Sequence, residues 1–399
     1  MAKLHLSLRR TSVNPPNQPN ATKVPQNMKT RSATILATII TALIAFTSAC
    51  DALAQGTWET KTSMPSNHYS FGTGVVNGII YAVGGINNQS MNVGTMEAYD
   101  PVINTWMPKA PMPTTRHALG VGVVNGTLYA VGGASEVNGC GDLNVVEAYD
   151  PATNMWTTKA PMTTAQSHLA VGVVNGILYA VGGITGNIPS CNNGYVVGTL
   201  QAYNPATDMW TTKAPMPTAR SEVTVGVVNG ILYAVGGNNP PVSTVEAYDP
   251  ASDTWTTKAH MPTPRYAAGG GVVNGILYVA GGSNGTTGAL TTVEAYDPIA
   301  NSWTEIAPMP TPRYGLSDSV VNNVLYALGG ANATGVLATN EAFTPPCEAD
   351  TWTTIAPMPA GVLQSSGVAC GGNFYVIDGY GSGSPQNVPP QVYDPVSNS

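Results

Sequence analysis

Basic residues are scarce in this chain. Past Ala54 there are nine Lys and Arg against 21 Asp and Glu, a net charge of −12. An acidic surface without a basic stripe repels phosphate backbones, so nucleic acid is excluded as a partner. Charged residues of both signs make up 9% of 399 residues, too few for a disordered polyelectrolyte. No GxSxG, HExxH or P-loop pattern occurs, which removes the hydrolase elbow, the zincin helix and the nucleotide cradle. No catalytic residue, metal ligand or cofactor is assigned. What the chain has instead is 44 Gly and 32 Pro with 43% hydrophobic residues. That composition suits many short strands joined by turns.

The turns repeat. Val-Val-Asn-Gly-Ile-Leu-Tyr-Ala-Val-Gly-Gly stands whole at 173–183 and 227–237, with close copies from Val75, Val123, Val272 and Val320 and a degraded seventh at 368–379. Asn-Gly between two apolar runs is the strongest short-range hairpin signal, because both central residues of a type I′ turn need positive φ. All seven Trp keep the same period of 45 to 54 residues, and each lies 23 residues before the next hairpin Tyr. From the Glu of Glu-Ala-Tyr-Asp-Pro (Gln201 in one copy) to the next Trp is 9 residues in five repeats, but 11 from Glu341 to Trp352. Length varies mainly between the Gly pair and that Glu.

A unit of about 50 residues with Gly-Gly, Tyr-Asp-Pro and Trp resembles the kelch motif, whose repeat is a four-stranded propeller blade. In the second copy the marks are Arg116, Gly132-Gly133, Glu147 to Pro151 and Trp156. The resemblance covers residues 57–399. It implies an all-β, kelch-type β-propeller with four antiparallel strands per blade, and seven copies each of hairpin, strand c and Trp strand predict that it is seven-bladed. It says little about activity, since such propellers serve as enzymes, protein-binding platforms and cell-surface modules.

Within the second blade the pattern predicts strand a at 119–124, strand b at 128–131, strand c at 145–149 and strand d from Trp156. Antiparallel pairing puts the tight a–b and c–d turns on one face and the variable b–c loops with the d–a connections on the other. Binding residues concentrate on loops held by a rigid scaffold, so the loop face is the expected functional face.

Residues 1–27 read as a disordered or non-native extension. A basic start at Met28, an apolar stretch at 33–49 and Ala52-Leu53-Ala54 then form a signal peptide over 28–54, ahead of a propeller at 55–399. Cys50 is an alternative lipid-anchor position. The expected product is secreted, periplasmic or surface-held, without a membrane span after cleavage, and monomeric. Export allows disulfides: Cys140 and Cys191 lie in variable loops of successive blades and can bridge, and Cys347 with Cys370 is a second candidate pair.

The four Arg past Ala54 are Arg116, Arg220, Arg265 and Arg313, each four residues after a Met and just before strand a. Blades 1 and 3 put His68 and Gln166 there. The next position holds Tyr69, His117, Ser167, Ser221, Tyr266 and Tyr314, and in the seventh copy Leu363 follows Val362. Two readings stand. The Arg, His68, Tyr69, His117, Tyr266 and Tyr314 form a mouth that binds an anionic or sugar-like ligand, or each Arg caps loop carbonyls or pairs with a Glu such as Glu147. His68, His117 and His168 sit nine, eight and seven residues before their Asn-Gly turns, so alternation keeps them from one metal centre. Glu222 and Asp318 are the odd acids near the mouth.

The favoured function is an exported, non-catalytic propeller that binds a protein or glycan through its b–c and d–a loops. The alternative is a sugar-acting enzyme, similar to kelch propellers that epimerise sialic acid or to galactose-oxidase-like propellers. Against the latter, His68-Tyr69 is the nearest Tyr-His pair and has the order reversed, with no partner Cys. Closure is expected from the N-terminal strand 57–62 pairing beside 390–394 to complete a seventh blade, which leaves no sheet edge open.

Overall fold

The computed structural model describes residues 55–135, 141–186 and 194–346, with the backbone of short strands between 362 and 393. The Asn-Gly hairpins form as their sequence demands. Asn125 and Gly126 take φ of 49° and 78°, and the turn sets Val124 opposite Thr127 and Val123 opposite Leu128. Each hairpin is extended outward by two strands. In the second blade the four are Gly120–Val124, Thr127–Val131, Val146–Asp150 and Met155–Thr158. The expected bounds differ from these by about one residue.

The ring has six blades, not seven. Its sixth sheet takes Ser317–Val321, Val324–Leu328 and Asn340–Thr344 from late in the chain and Thr57–Thr60 from its start. Trp58 is opposite Phe343 and Thr57 opposite Thr344, so the N-terminal strand lies beside 340–344 and not beside 390–394. The circular closure by that strand is as expected; the blade it completes is a different one.

Five copies share a turn after strand c that is held by a Tyr hydroxyl, and the sixth has no hydroxyl to hold one. In blades 1 to 5 the Tyr of strand c donates its hydroxyl to an Asn or Asp five residues on, as Tyr99 does to Asn104 (2.7 Å) and Tyr248 to Asp253 (2.7 Å). The same carboxamide or carboxylate oxygen accepts a backbone N–H from the preceding blade, Thr62 for Asn104 and Ala214 for Asp253. One oxygen thus ties the c–d turn both to its own strand and to its neighbour. The sixth copy reads Phe343-Thr344-Pro345-Pro346, without the hydroxyl. Its strand c is joined instead by Trp58, whose ring lies 5.0 Å from Phe343 at 35°, matching the 4.9 Å and 35° of Trp106 on Tyr99. The Trp58 indole N–H donates to the carbonyl of Ala307 in the blade before, as Trp303 does to Ala259.

The core is repeated between neighbouring blades. Buried Tyr of strand b packs on the aromatic of the next strand c, Tyr81 on Tyr149 at 5.8 Å and Tyr278 on Phe343 at 5.7 Å. Tyr326 on Tyr99 at 5.9 Å closes that circle. Large aromatics recurring once per blade therefore fill the wedges between sheets.

Residues 347–399 form a second compact unit. In it Ser366–Cys370, Asn373–Ile377 and Gln391–Tyr393 make an antiparallel sheet, and Val362–Leu363 pairs with Tyr380–Gly381. Cys140, Cys191, Cys347, Trp352 and residues 1–54, with the expected extension at 1–27 and signal peptide at 28–54, lie outside the described residues, and of Cys370 the backbone alone is described. Among the described residues no helix is long and apolar enough to cross a membrane.

Candidate functional site

All six blades meet at the mouth of the central axis, where strand a begins. Ser70, Ala118, His168, Glu222, Ala267 and Gly315 hold equivalent places there, all with φ between 50° and 62°. That left-handed conformation is easy for Gly315 and costs the other five about 1–2 kcal/mol each. It turns each N–H onto the carbonyl of the adjacent blade. Ala118 donates to Ser70, His168 to Ala118, Glu222 to His168, Ala267 to Glu222, Gly315 to Ala267 and Ser70 back to Gly315, at 2.7–3.1 Å. Six hydrogen bonds form a closed circle, and the last links blade 1 directly to blade 6.

Below that circle the wall is made by Thr73, Val121, Val171, Val225, Gly270 and Asp318, one per blade and each partly exposed. They enclose a cavity of about 210 Å³ together with the mouth residues. Glu222 and Asp318 both line it, and among the described residues no Lys or Arg does. Burial pushes the Glu222 carboxyl up to about 7, against a hydrogen bond from Asn238. Burial likewise pushes Asp318 up to about 7, against the charge of Arg313. Sequence reading found both acids; it missed the hydroxyls of Ser70, Thr73, Thr224 and Ser317, of which Thr224 and Ser317 were legible as the polar members of a column otherwise made of Gly and Ala.

The four Arg are set away from the cavity and almost fully buried. Arg116 pairs with Glu147 at 2.5 Å, Arg220 with Glu246 at 2.8 Å, Arg265 with Glu294 at 2.6 Å and Arg313 with Glu341 at 2.8 Å. Each also donates to a strand-b carbonyl, Ala130, Ala234, Val279 or Ala327. The other Glu oxygen accepts the hydroxyl of the Thr two residues before the Arg. Every guanidinium thus joins the start of strand a to strands b and c of its own blade. Burial lowers the Arg pKa values and the paired carboxylates oppose that shift.

Blade 3 makes the same joint without charge: Gln201 donates to Gln166, which donates to the Gly182 carbonyl at 2.7 Å. Blade 1 makes it incompletely. Glu97 is buried, accepts Ser66 at 2.7 Å through one oxygen, and among the described residues has no hydrogen-bond partner for the other. Burial raises its pKa. His68 occupies the Arg position, buried, packed at 5.9 Å on Phe71, its pKa driven down to about 4 by burial. His68→Arg is expected to raise stability by about 1 kcal/mol, the scale of one satisfied buried acceptor. Chemical denaturation measures it, and a loss of stability would contradict the repeat logic.

His117 is buried and meets His168 edge to face at 5.8 Å. Burial holds both imidazoles neutral with pKa near 4. Tyr69, Tyr266 and Tyr314 are half-buried. With His117, Ser167 and Ser221 they form single bridges to Ile86, Ser283, Ala331, Ala134, Ile184 and Asn238, the first residues past each Gly pair. Each variable loop is therefore rooted at the mouth. Among the described residues no three His, Cys, Asp or Glu gather into a metal set.

Six radial four-stranded sheets around an axis define a β-propeller. The kelch motif matches residues 68–113, 115–163, 167–217, 219–262 and 264–310, more than half of the sequence, and the chain belongs to the kelch-motif family. It is 45% identical over 56 residues to Kelch-like ECH-associated protein 1A of Danio rerio, a match spanning 14% of this chain and 9% of that protein. The solved structure titled "Structure of YjhT" is similar with a TM-score of 0.63 at 18% identity, covering 73% of this chain and 98% of that one. At that identity the likeness establishes the fold alone.

Proposed function

We propose that this chain is an exported, non-catalytic binding module that meets a protein or glycan partner through the b–c loops and the d–a connections. The observation that carries the reading is the contrast between the two faces. One face repeats the same tight turns, whereas on the other each variable loop stands on a hydrogen-bonded root at the mouth. Rigid roots under variable tips are what a recognition surface needs. The tips are rich in uncharged polar groups: Asn87, Asn284 and Asn332 each accept backbone N–H bonds from the loop they begin. Such self-capped loops offer hydroxyls and amides suited to a glycan or a polar peptide. Export rests on the basic, apolar and small-residue succession at 28–54.

Glycan and peptide arrays test the reading. Replacing 87–91 by Gly-Ser residues is expected to weaken the captured ligand at least tenfold, whereas replacing the opposite turn at 151–153 leaves it unchanged. Equal binding by both variants overturns the loop face. Turnover of an array sugar, lost in Glu222→Gln, overturns the non-catalytic part. Recovery outside the cell of a chain beginning at Gln55 is the expected result for export; retention inside with 28–54 attached contradicts it.

A further inference from the structure

The sixfold axis is broken at one place. Blade 5 brings Ala267-Ala268-Gly269-Gly270 to the cavity wall, the smallest side chains of any blade, and the flanking blades 4 and 6 bring Glu222 and Asp318. The glycines are needed there. A Cβ on Gly269 would stand 2.2 Å from the Asp318 carboxyl, and one on Gly270 would stand 2.2 Å from the Thr224 methyl. At the junctions of blades 1 with 2 and 2 with 3 the same contact is filled by valine, as Val121 covers Gly72 and Val171 covers Gly120. Asp318 thus replaces an apolar wall residue. Among the described residues neither of its oxygens has a hydrogen-bond partner, and both are buried. Arg313, whose charge acts on it, pairs with Glu341 through one terminal nitrogen; its Nε and other terminal nitrogen have no hydrogen-bond partner among the described residues, and neither bonds Asp318. A buried carboxyl without a partner is costly, so a side chain kept in that state points to a missing partner.

We propose that this notch between blades 4 and 6 is a binding site for a primary ammonium group, carried by a small alkylamine or by a lysyl side chain. The site goes beyond the loop-face reading and does not depend on it, because its wall holds no residue of the variable loop tips. Two carboxyl groups from separate blades and the hydroxyls of Thr73, Thr224 and Ser317 supply acceptors from several directions, which suits a compact ammonium with three donors better than a flat guanidinium fork. Val121, Val171 and Val225 complete the wall and take the methylenes of the ligand. On binding, the Asp318 carboxyl turns from its covered place on Gly269 into the cavity and ionises against the ammonium, with Glu222 above it at the mouth. Two carboxyls without a third ligand group do not make a divalent-cation site of ordinary affinity.

Titration calorimetry of the whole chain with n-butylamine, n-butanol and a short peptide bearing one internal lysine tests this. Butylammonium is expected to bind and butanol not to. Asp318→Asn and Glu222→Gln are each expected to weaken butylammonium at least tenfold without lowering the melting temperature, and the 87–91 replacement leaves it intact. A lysyl peptide that binds tighter than butylamine assigns the site to a partner's side chain; equal or weaker binding assigns it to a free amine. Equal affinity for butanol, or unchanged affinity in both acid variants, overturns the proposal. So does calcium binding that butylamine does not displace. Because the loop variant keeps this site, amine binding and loop-face binding fail independently.

Discussion

Arg313→Ala is expected to destabilise the propeller by about 3–5 kcal/mol, the scale for breaking a buried ion pair by removing one partner. The substitution strands Glu341, which is 2% exposed and whose second oxygen is held by Thr311 at 2.6 Å. It also removes the donor to the Ala327 carbonyl. The molecule holds its own control. Blade 3 performs the joint with Gln166 and Gln201, so Arg313→Gln combined with Glu341→Gln is expected to recover most of the loss. Denaturant unfolding of the two single variants and the double reads this as a coupling energy. A single variant costing under about 1 kcal/mol, or a double no better than either single, would contradict a structural role for the pair.

That role bears on what was legible in the sequence. The recurrence of Arg four residues after Met was visible, and so was Glu147 as a partner for Arg116. Their depth was not, because a position just before strand a can face the channel or turn behind the wall. The internal comparison carries the missing information. Where the Arg column becomes Gln166, the Glu column becomes Gln201, and paired replacement of that kind signals contact. Hairpins and strand bounds were legible because Asn-Gly and period-two alternation are local. The blade number was not local. Seven Trp and seven hairpins fix the count of marks but not which strand c receives the terminal strand d. The deciding signal was a small departure: Phe343 where five copies have Tyr, Pro345-Pro346 after it, and 11 residues to Trp352 in place of 9.

Removing 55–61 is expected to abolish cooperative unfolding of the ring. The deletion uncovers the whole edge of Asn340–Thr344, takes Trp58 from Phe343 and Ala307, and removes the Lys61 N–H bond to the Asn340 carbonyl. An opened propeller exposes a strand edge and an apolar wedge together, the conditions for aggregation. Even Trp58→Ala is expected to cost about 3 kcal/mol, the low end for a Trp truncation because the ring is partly exposed. By contrast, residues 55–346 close their own ring and are expected to fold without 347–399. Calorimetry of the two truncations checks the contrast; loss of the transition in the C-terminal truncation alone would contradict it.

Closure by the N-terminal strand in a six-bladed ring is tested most directly by cross-linking its register. With the five native cysteines changed to serine, Thr57→Cys is paired in one protein with Thr344→Cys and in another with Val392→Cys. Thr57 and Thr344 are opposite one another in the sheet and both exposed, so mild oxidation is expected to join 57 to 344, seen as one linked peptide by mass, and to leave 57 and 392 free. A 57–392 link with no 57–344 link would contradict the six-bladed ring.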